Sequence, residues 1–219
     1  MRVISGRLGG RHIETPRGKA VRPTMDRVRE ALFNRLEHHL WDRGGFQGKK
    51  ILDLFAGTGA LGIEALSRGA AMAVFVEREP RVIRTLRENL LRLGLMEMAT
   101  CIQDDVVCNK GIWKKIVEYG GFDVILADPP YGKRLTSFIV ERVREHGILA
   151  RGGILVIEEG ADKAYFKNRR GTAYRSLDQG ETAGVQELME FEPRCYGKTV
   201  VRMWEYAHGR QDHRVSRYL

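Results

Sequence analysis

Asp128-Pro129-Pro130-Tyr131 packs more chemistry into four residues than any other stretch of this sequence. Two successive prolines fix the backbone and hold Asp128 extended. A carboxylate, a rigid carbonyl and an aromatic ring then stand side by side. That set suits an exocyclic amine on a nucleobase, a poor nucleophile because its lone pair is delocalised into the ring. A carboxylate and the Pro129 carbonyl accepting both N–H bonds favour the pyramidal, attacking nitrogen, so the contribution is positioning and electrostatics. Tyr131 can stack on the base once the base has left its helix or loop.

A second constellation lies upstream. Gly57-Thr58-Gly59-Ala60-Leu61-Gly62 fits G-x-G-x-x-G directly after an apolar run and at the head of a helical pattern. The loop alone serves a dinucleotide dehydrogenase and an S-adenosylmethionine (SAM) enzyme almost equally well. Asp53, four residues before Gly57, separates the two. A carboxylate there repels a pyrophosphate but suits SAM, whose methionine end carries a protonated amine and whose sulfur is a cation. Glu77, at the end of the next apolar run, can accept from ribose hydroxyls, a role shared with NAD enzymes. Asp105 can accept from an adenine amine, with Asp104 the neighbouring candidate. An NAD-dependent oxidoreductase would explain the glycines but would leave Asp128–Tyr131 without a hydride-transfer role.

The elements that must position these residues alternate regularly from Lys50 onward. Strands are expected at 51–55, 73–77, 100–103, 122–127 and 153–158, with helices after the glycine loop, over 80–93 and over 134–149. Short apolar strands separated by helices predict an α/β fold, a doubly wound, mostly parallel seven-stranded sheet. Strand-like stretches at 172–176 and 199–204 are expected to add an antiparallel hairpin at the C-terminal edge. Before the sheet, 2–5 and 11–14 read as a short hairpin. Arg22-Pro23-Thr24 leads into a helix striped by Val28, Leu32, Phe33 and Leu36, which Thr24 could cap. Gly44-Gly45 marks the one plausible boundary. It divides a basic extension, 1–44, from a catalytic domain, 45–207, and the polar residues 208–219 form a tail.

The 219 residues carry 37 Lys+Arg against 28 Asp+Glu, a net charge of +9. Residues 1–50 hold 12 basic and 5 acidic side chains, whereas residues 51–150 hold 13 of each. A basic excess confined to the first quarter is the footprint of a polyanion partner. With 43% hydrophobic and 30% charged residues, disorder and collagen-like repeats are excluded. No apolar run reaches the ~18 residues of a membrane span, and the basic start has no apolar segment of a signal peptide behind it. Cys101, Cys108 and Cys195 read as buried or half-buried thiols of a reducing cytoplasm. The six histidines show no ligand spacing, so no metal is expected. Trp41, Trp113 and Trp204 read as packing anchors.

Asp53-Leu-Phe-Ala-Gly-Thr-Gly-Ala-Leu-Gly62 and the Asp-Pro-Pro-Tyr tetrapeptide together resemble the class I SAM-dependent amino-methyltransferases. Arg2-Val-Ile-Ser-Gly6, Gly10-Arg11 and Arg22-Pro-Thr-x-Asp-Arg-Val-Arg-Glu-Ala-Leu-Phe-Asn34 resemble, more narrowly, the bacterial RsmD-type small-subunit rRNA guanine-N2 methyltransferases. Leu66-Ser-Arg-Gly-Ala70 and Tyr196-Gly-Lys-Thr199 agree, and the resemblance spans about 1–205. It implies a Rossmann-like fold and methyl transfer from SAM to the N2 amine of a guanine in 16S rRNA, in an assembling small subunit, by a cytoplasmic monomer. Asp128, Pro129, Pro130 and Tyr131 would be catalytic. Asp53, Phe55, Ala56, Gly57, Thr58, Gly59, Glu77, Asp105 and Thr24 would hold the cofactor, and Arg7, Arg11, Arg22, Arg27 and Arg29 would contact RNA. Two features depart from the family pattern: a basic tail bearing Arg210, Arg214 and Arg217, and Asp104 where a small residue is commoner. The alternatives are a DNA adenine-N6 or cytosine-N4 methyltransferase, which usually needs a further target-recognition region, and a non-catalytic RNA-binding assembly factor.

Overall fold

In the computed structural model, residues 1–15, 23–130, 135–160 and 187–206 are described, without the side chains of 23–25. The expected strand at 172–176 and the tail lie outside them. The chain runs α1 (Pro23–Leu40), β1 (Lys50–Leu54), α2 (Ala60–Ser67), β2 (Met72–Glu77), α3 (Pro80–Arg92), β3 (Ala99–Gln103), α4 (Gly111–Val117), β4 (Phe122–Ala127), α5 (Thr136–His146) and β5 (Leu149–Gly160). It closes with β6 (Leu188–Glu190), β7 (Arg194–Tyr196) and β8 (Thr199–Tyr206).

The sheet has eight strands in the order β3-β2-β1-β4-β5-β8-β6, with β7 also paired to β8. The pairings among β1 to β5 are parallel, and those of β8 with β5, β6 and β7 are antiparallel. The expected antiparallel edge is thus present, with β8 next to β5 and the short strands β6 and β7 both on the far edge of β8. Both are three residues long and are set by pairing with β8, which no local pattern announces.

Alternation along each strand builds two cores. Ile51, Phe75, Leu126 and Val156 face α1, α2 and α3, where Leu32, Phe33, Leu66 and Leu86 complete one core. Leu52, Val74, Ile125 and Leu155 face α4 and α5, where Trp113, Ile116 and Ile139 complete the other. Strands covered on both faces read as near-continuous apolar runs, which is why the sequence exposes them.

The N-terminal segment folds as the expected short hairpin: an antiparallel bridge joins Arg2 to His12, Val3 N–H donates to the Arg11 carbonyl at 2.9 Å, and Met1 and Ile13 each donate an N–H to the other's carbonyl. The hairpin is docked on α2. Glu64, fully buried, accepts the N–H groups of Ile4 (2.7 Å) and Ser5 (3.0 Å) and the Nε–H of Arg68 (2.8 Å). Ser67 accepts from Arg7 N at its carbonyl and from Leu8 N at its hydroxyl. Gly6 has φ of 79°, and a Cβ there would stand 2.0 Å from the Ser67 carbonyl oxygen, so this docking requires glycine. α1 begins at Pro23, a favoured first helical residue, which puts Thr24 inside the first turn and not at the cap. Trp113 and Trp204 are buried anchors, but Trp41 is 77% exposed and anchors nothing. Cys108 is exposed, whereas Cys101 and Cys195 are half-buried.

Candidate active site

The sheet order reverses between β1 and β4, and an open α/β sheet binds ligands at the carboxyl ends of its strands at such a point. Leu54 lies in register with Ala127, so the chain leaves β1 into the glycine loop directly beside the start of Asp128-Pro129-Pro130. Phe55, the first loop residue, has φ of 60°, unique among the non-glycine residues described. Left-handed backbone at a bulky residue persists only where surroundings enforce it, and such residues gather at ligand sites. Gly59 opens α2 with φ of 86°. At Gly62 a Cβ would lie 2.3 Å from the Phe75 ring, so this glycine lets α2 close onto β2.

Asp53 is 1% exposed and accepts the Gly62 N–H at 2.8 Å. Burial raises its pKa to about 7 against that bond, and the charges of Asp128 and Glu77 add to the rise. The period of two along a strand places its acidic neighbours. Ile51, Phe75, Leu126 and Val156 share one face, and two residues further along their strands stand Asp53, Glu77, Asp128 and Glu158. Glu77, Asp128 and Glu158 thus line the carboxyl edge of the sheet on the side roofed by α1, and Asp53, in register with Phe75 and Leu126, lies two residues deeper between β2 and β4. Burial also raises Asp128, to about 6; it stands beside a buried Pro129 and an exposed Pro130. Among the described residues no group of three or more His, Cys, Asp or Glu could hold a metal ion.

The other expected cofactor residues surround the loop. Glu77 accepts Gly57 N–H at 3.0 Å and Glu79 N–H at 2.8 Å, bracing the loop against the turn into α3. The Ala56 N–H donates to the Val76 carbonyl, and the buried Thr58 carbonyl accepts from Asn89 at 3.2 Å. Asp105 accepts from Val107 and Cys108 N–H and pairs with Arg78 at 3.3 Å. Asp104 holds Asn109. Tyr131, Arg22 and the side chain of Thr24 lie outside the described residues.

The remaining arginines separate. Arg11 and Arg27 are exposed. Arg7 is exposed too, but its guanidinium rests 3.5 Å from Met98 Sδ, just before β3, at the amino ends of the parallel strands and away from the crevice. Arg29 is 5% exposed, bonded to Asp26 (3.1 Å) and to the Arg2 carbonyl (2.5 Å). Its guanidinium is built into the fold and is not presented to a phosphate. Three residues that the sequence reading passes over also matter. Glu158 ends the row of acids, Glu64 seats the N-terminal segment, and Asn89 links Glu14 to the glycine loop through both backbone groups of Glu14 and the Thr58 carbonyl.

The family described as Conserved hypothetical protein 95 matches residues 1–187. "Ribosomal RNA small subunit methyltransferase D" of Escherichia coli (strain K12) is 33% identical over 160 residues, 72% of this chain and 74% of that one. The chain belongs to the RsmD-type methyltransferase family. The Bacillus subtilis (strain 168) protein YlbH is 33% identical over 205 residues, 94% of this chain and 98% of its own. The solved structure of the E. coli protein yhhF superposes with a TM-score of 0.69 at 26% identity, covering 94% of this chain and 98% of that one. This RsmD-type chain is an enzyme, and its methyl donor is SAM. The residues present fit that cofactor. Among the described residues Asp53 is buried with a single N–H donor, and the charges that bear on it are those of Asp128 and Glu77, which suits a cationic ligand and opposes an anionic one.

Proposed function

We propose that the enzyme methylates the exocyclic N2 amine of a guanine in 16S rRNA, on an assembling small ribosomal subunit in the cytoplasm. The supporting observation is the juxtaposition of Asp128-Pro129-Pro130 with the buried Asp53 across the β1–β4 crevice. When bound, SAM supplies a methyl group on a sulfonium that departs as a neutral thioether. In this reading Asp53 holds the cationic amino-acid end of the cofactor, Glu77 accepts from the ribose and Asp105 from the adenine amine. Thr24 stands beside cofactor or substrate.

Asp128 and the Pro129 carbonyl each accept one N–H of the target amine, turning its lone pair towards the methyl group. Pro130 keeps that geometry rigid, and Tyr131 stacks on the base. As the C–N bond forms and the C–S bond breaks, the nitrogen sheds a proton, and a carboxyl whose pKa burial has raised is a suitable acceptor. Residues 1–44 form the RNA-facing extension, with Arg11, Arg22 and Arg27 on phosphates. The test uses small subunits from cells lacking the enzyme, with modified nucleosides mapped by mass. The wild-type chain should add one N2-methylguanosine and Asp128→Ala none. Wild-type transfer by Asp128→Ala, or a methyl group on another base, would sink the proposal.

A further inference from the structure

The acid row contains one carboxylate that neither cofactor binding nor amine positioning uses. Ala127 of β4 is in register with Ile157 of β5, so Asp128 and Glu158 follow side by side, about 4.8 Å apart along the sheet. Glu158 also faces the side of α1, because its partner Val201 and its neighbour Val156 both lie in that core. The next residue, Glu159, points to the other face, where it accepts from Thr136 at 2.5 Å and lies 3.7 Å from Arg202. Glu159 is therefore part of the scaffold, whereas Glu158 opens on the crevice. Over it stands the buried Arg29, whose Nε has no hydrogen-bond partner among the described residues and whose charge reaches Glu158.

The order across the sheet limits what Glu158 can touch. Glu77 and Asp53 are on the cofactor side, Asp128 is at the reacting amine, and Glu158 lies beyond it. A base whose amine is held at Asp128 presents its next ring atoms to Glu158. In adenine and cytosine the ring nitrogen next to the amine on the pairing edge is a bare acceptor. In guanine it is N1–H, followed by the O6 acceptor.

We propose that Glu158 is a specificity-determining residue that reads the N1–H and O6 of the target guanine beside the amine held by Asp128. This rests on the reading of the enzyme as a guanine-N2 methyltransferase. Burial first, and then the Asp128 charge, raise the Glu158 pKa, with Arg29 opposing and Asp53 adding to the rise. That direction favours the neutral acid, whose carbonyl oxygen accepts N1–H while its hydroxyl donates to O6. Guanine then gains two hydrogen bonds where adenine can form one. A site built to hydrogen-bond its substrate discriminates strongly against an analogue that leaves its groups unpaired.

The experiment compares kcat/KM for small-subunit rRNA carrying either guanine or 2-aminopurine at the mapped target. 2-Aminopurine keeps the N2 amine but lacks N1–H and O6. Its different intrinsic reactivity is common to every variant and cancels between them. The wild-type enzyme should prefer guanine by roughly 10²-fold, and Glu158→Ala should shrink that preference at least tenfold. Glu158→Gln, whose amide accepts and donates like the neutral acid, should restore most of it. An unchanged preference in Glu158→Ala overturns the proposal, as does a Gln variant no more discriminating than Ala. Failure of the wild-type chain to methylate guanine-containing RNA overturns the parent reading itself, and this inference with it.

Discussion

Two groups of buried acids in this enzyme are held in opposite ways. At the seam between the N-terminal segment and α2, Glu64 has no exposed surface and is met by two backbone N–H groups and the Arg68 guanidinium. Arg68 in turn reaches Glu37 at 3.1 Å and lies over the Phe33 ring. In the crevice, Asp53 is as deeply buried but has one N–H donor among the described residues, and the charges that bear on it there are those of Asp128 and Glu77. A buried charge that serves the fold is paired with donors, because an unpaired one costs several kcal/mol. Acids packed together and short of donors raise one another's pKa, and such sites are where ligands and chemistry are found. Substitutions in the two groups should therefore fail in different assays.

The largest effect is expected at Asp128. Removing a group that positions the reacting amine costs roughly 10²–10⁴ in kcat. Asp128→Ala should lose about 10³-fold in methyl transfer, while its melting temperature stays level or rises because a crowded charge has gone. A melting temperature that falls as far as the activity would make Asp128 a structural acid like Glu64. At the seam the pattern reverses. Glu64→Ala strands Arg68 and two N–H donors, at a cost of roughly 3 kcal/mol. For a chain of this size that lowers the melting temperature by about 6–12 °C. kcat at a temperature where the variant is still folded should change little. A Glu64→Ala protein with unaltered thermal unfolding would break the comparison.

The contrast also explains which parts of the molecule can be read from sequence. Strands β1, β2 and β4 are buried on both faces, so 51–55, 73–77 and 122–127 stand out as apolar runs, and the acids in or just after them are visible as candidate site residues. Glu158 ends the fifth run in the same manner. Its signal is present, but the other acids already account for cofactor and amine, so nothing in the sequence demands a role for it. Arg29 misleads for a local reason: 29, 33, 36 and 40 share one helical stripe with Phe33, Leu36 and Leu40, so the helix turns this arginine inward. α4 escapes the periodicity because its seven residues include Lys114 and Lys115 and carry only a short stripe. The Glu64 seam joins residues about 60 positions apart, which no periodicity reveals.

A smaller effect separates the two groups by pH. With its pKa raised to about 7, Asp53 is largely protonated below neutrality and must ionise to hold a cationic ligand. SAM affinity should therefore rise with pH from 6 to 7, by up to about tenfold per unit, while the ligand's own amine (pKa about 7.7–8.0) stays charged. Linkage gives the sign for the free protein. A folded pKa above the unfolded value contributes stability that is complete below the unfolded pKa and lost as pH rises through about 7. The ligand-free enzyme should thus lose Asp53's contribution over the same window in which SAM binding strengthens. Titration calorimetry at about pH 6 and pH 7 measures this, and Asp53→Asn should flatten the dependence. An affinity independent of pH in the wild-type enzyme would show that Asp53 does not meet the cation.

The smallest expected effect divides the arginines. Each phosphate contact contributes about 0.7–0.9 to the slope of log affinity against log salt. Arg11 and Arg27 are exposed, so Arg11→Gln and Arg27→Gln should each reduce the slope for RNA binding by that amount if they carry the basic footprint. Arg29→Gln should leave the slope unchanged and lower stability instead, because Asp26 and the Arg2 carbonyl lose a buried partner. Arg7→Gln should also leave the slope unchanged, since Arg7 sits at the amino ends of the strands beside Met98. A slope that falls equally for all four would mean that RNA wraps the molecule from the crevice to the opposite rim. A slope that falls for none would move the RNA surface away from the N-terminal quarter, where the excess charge is concentrated.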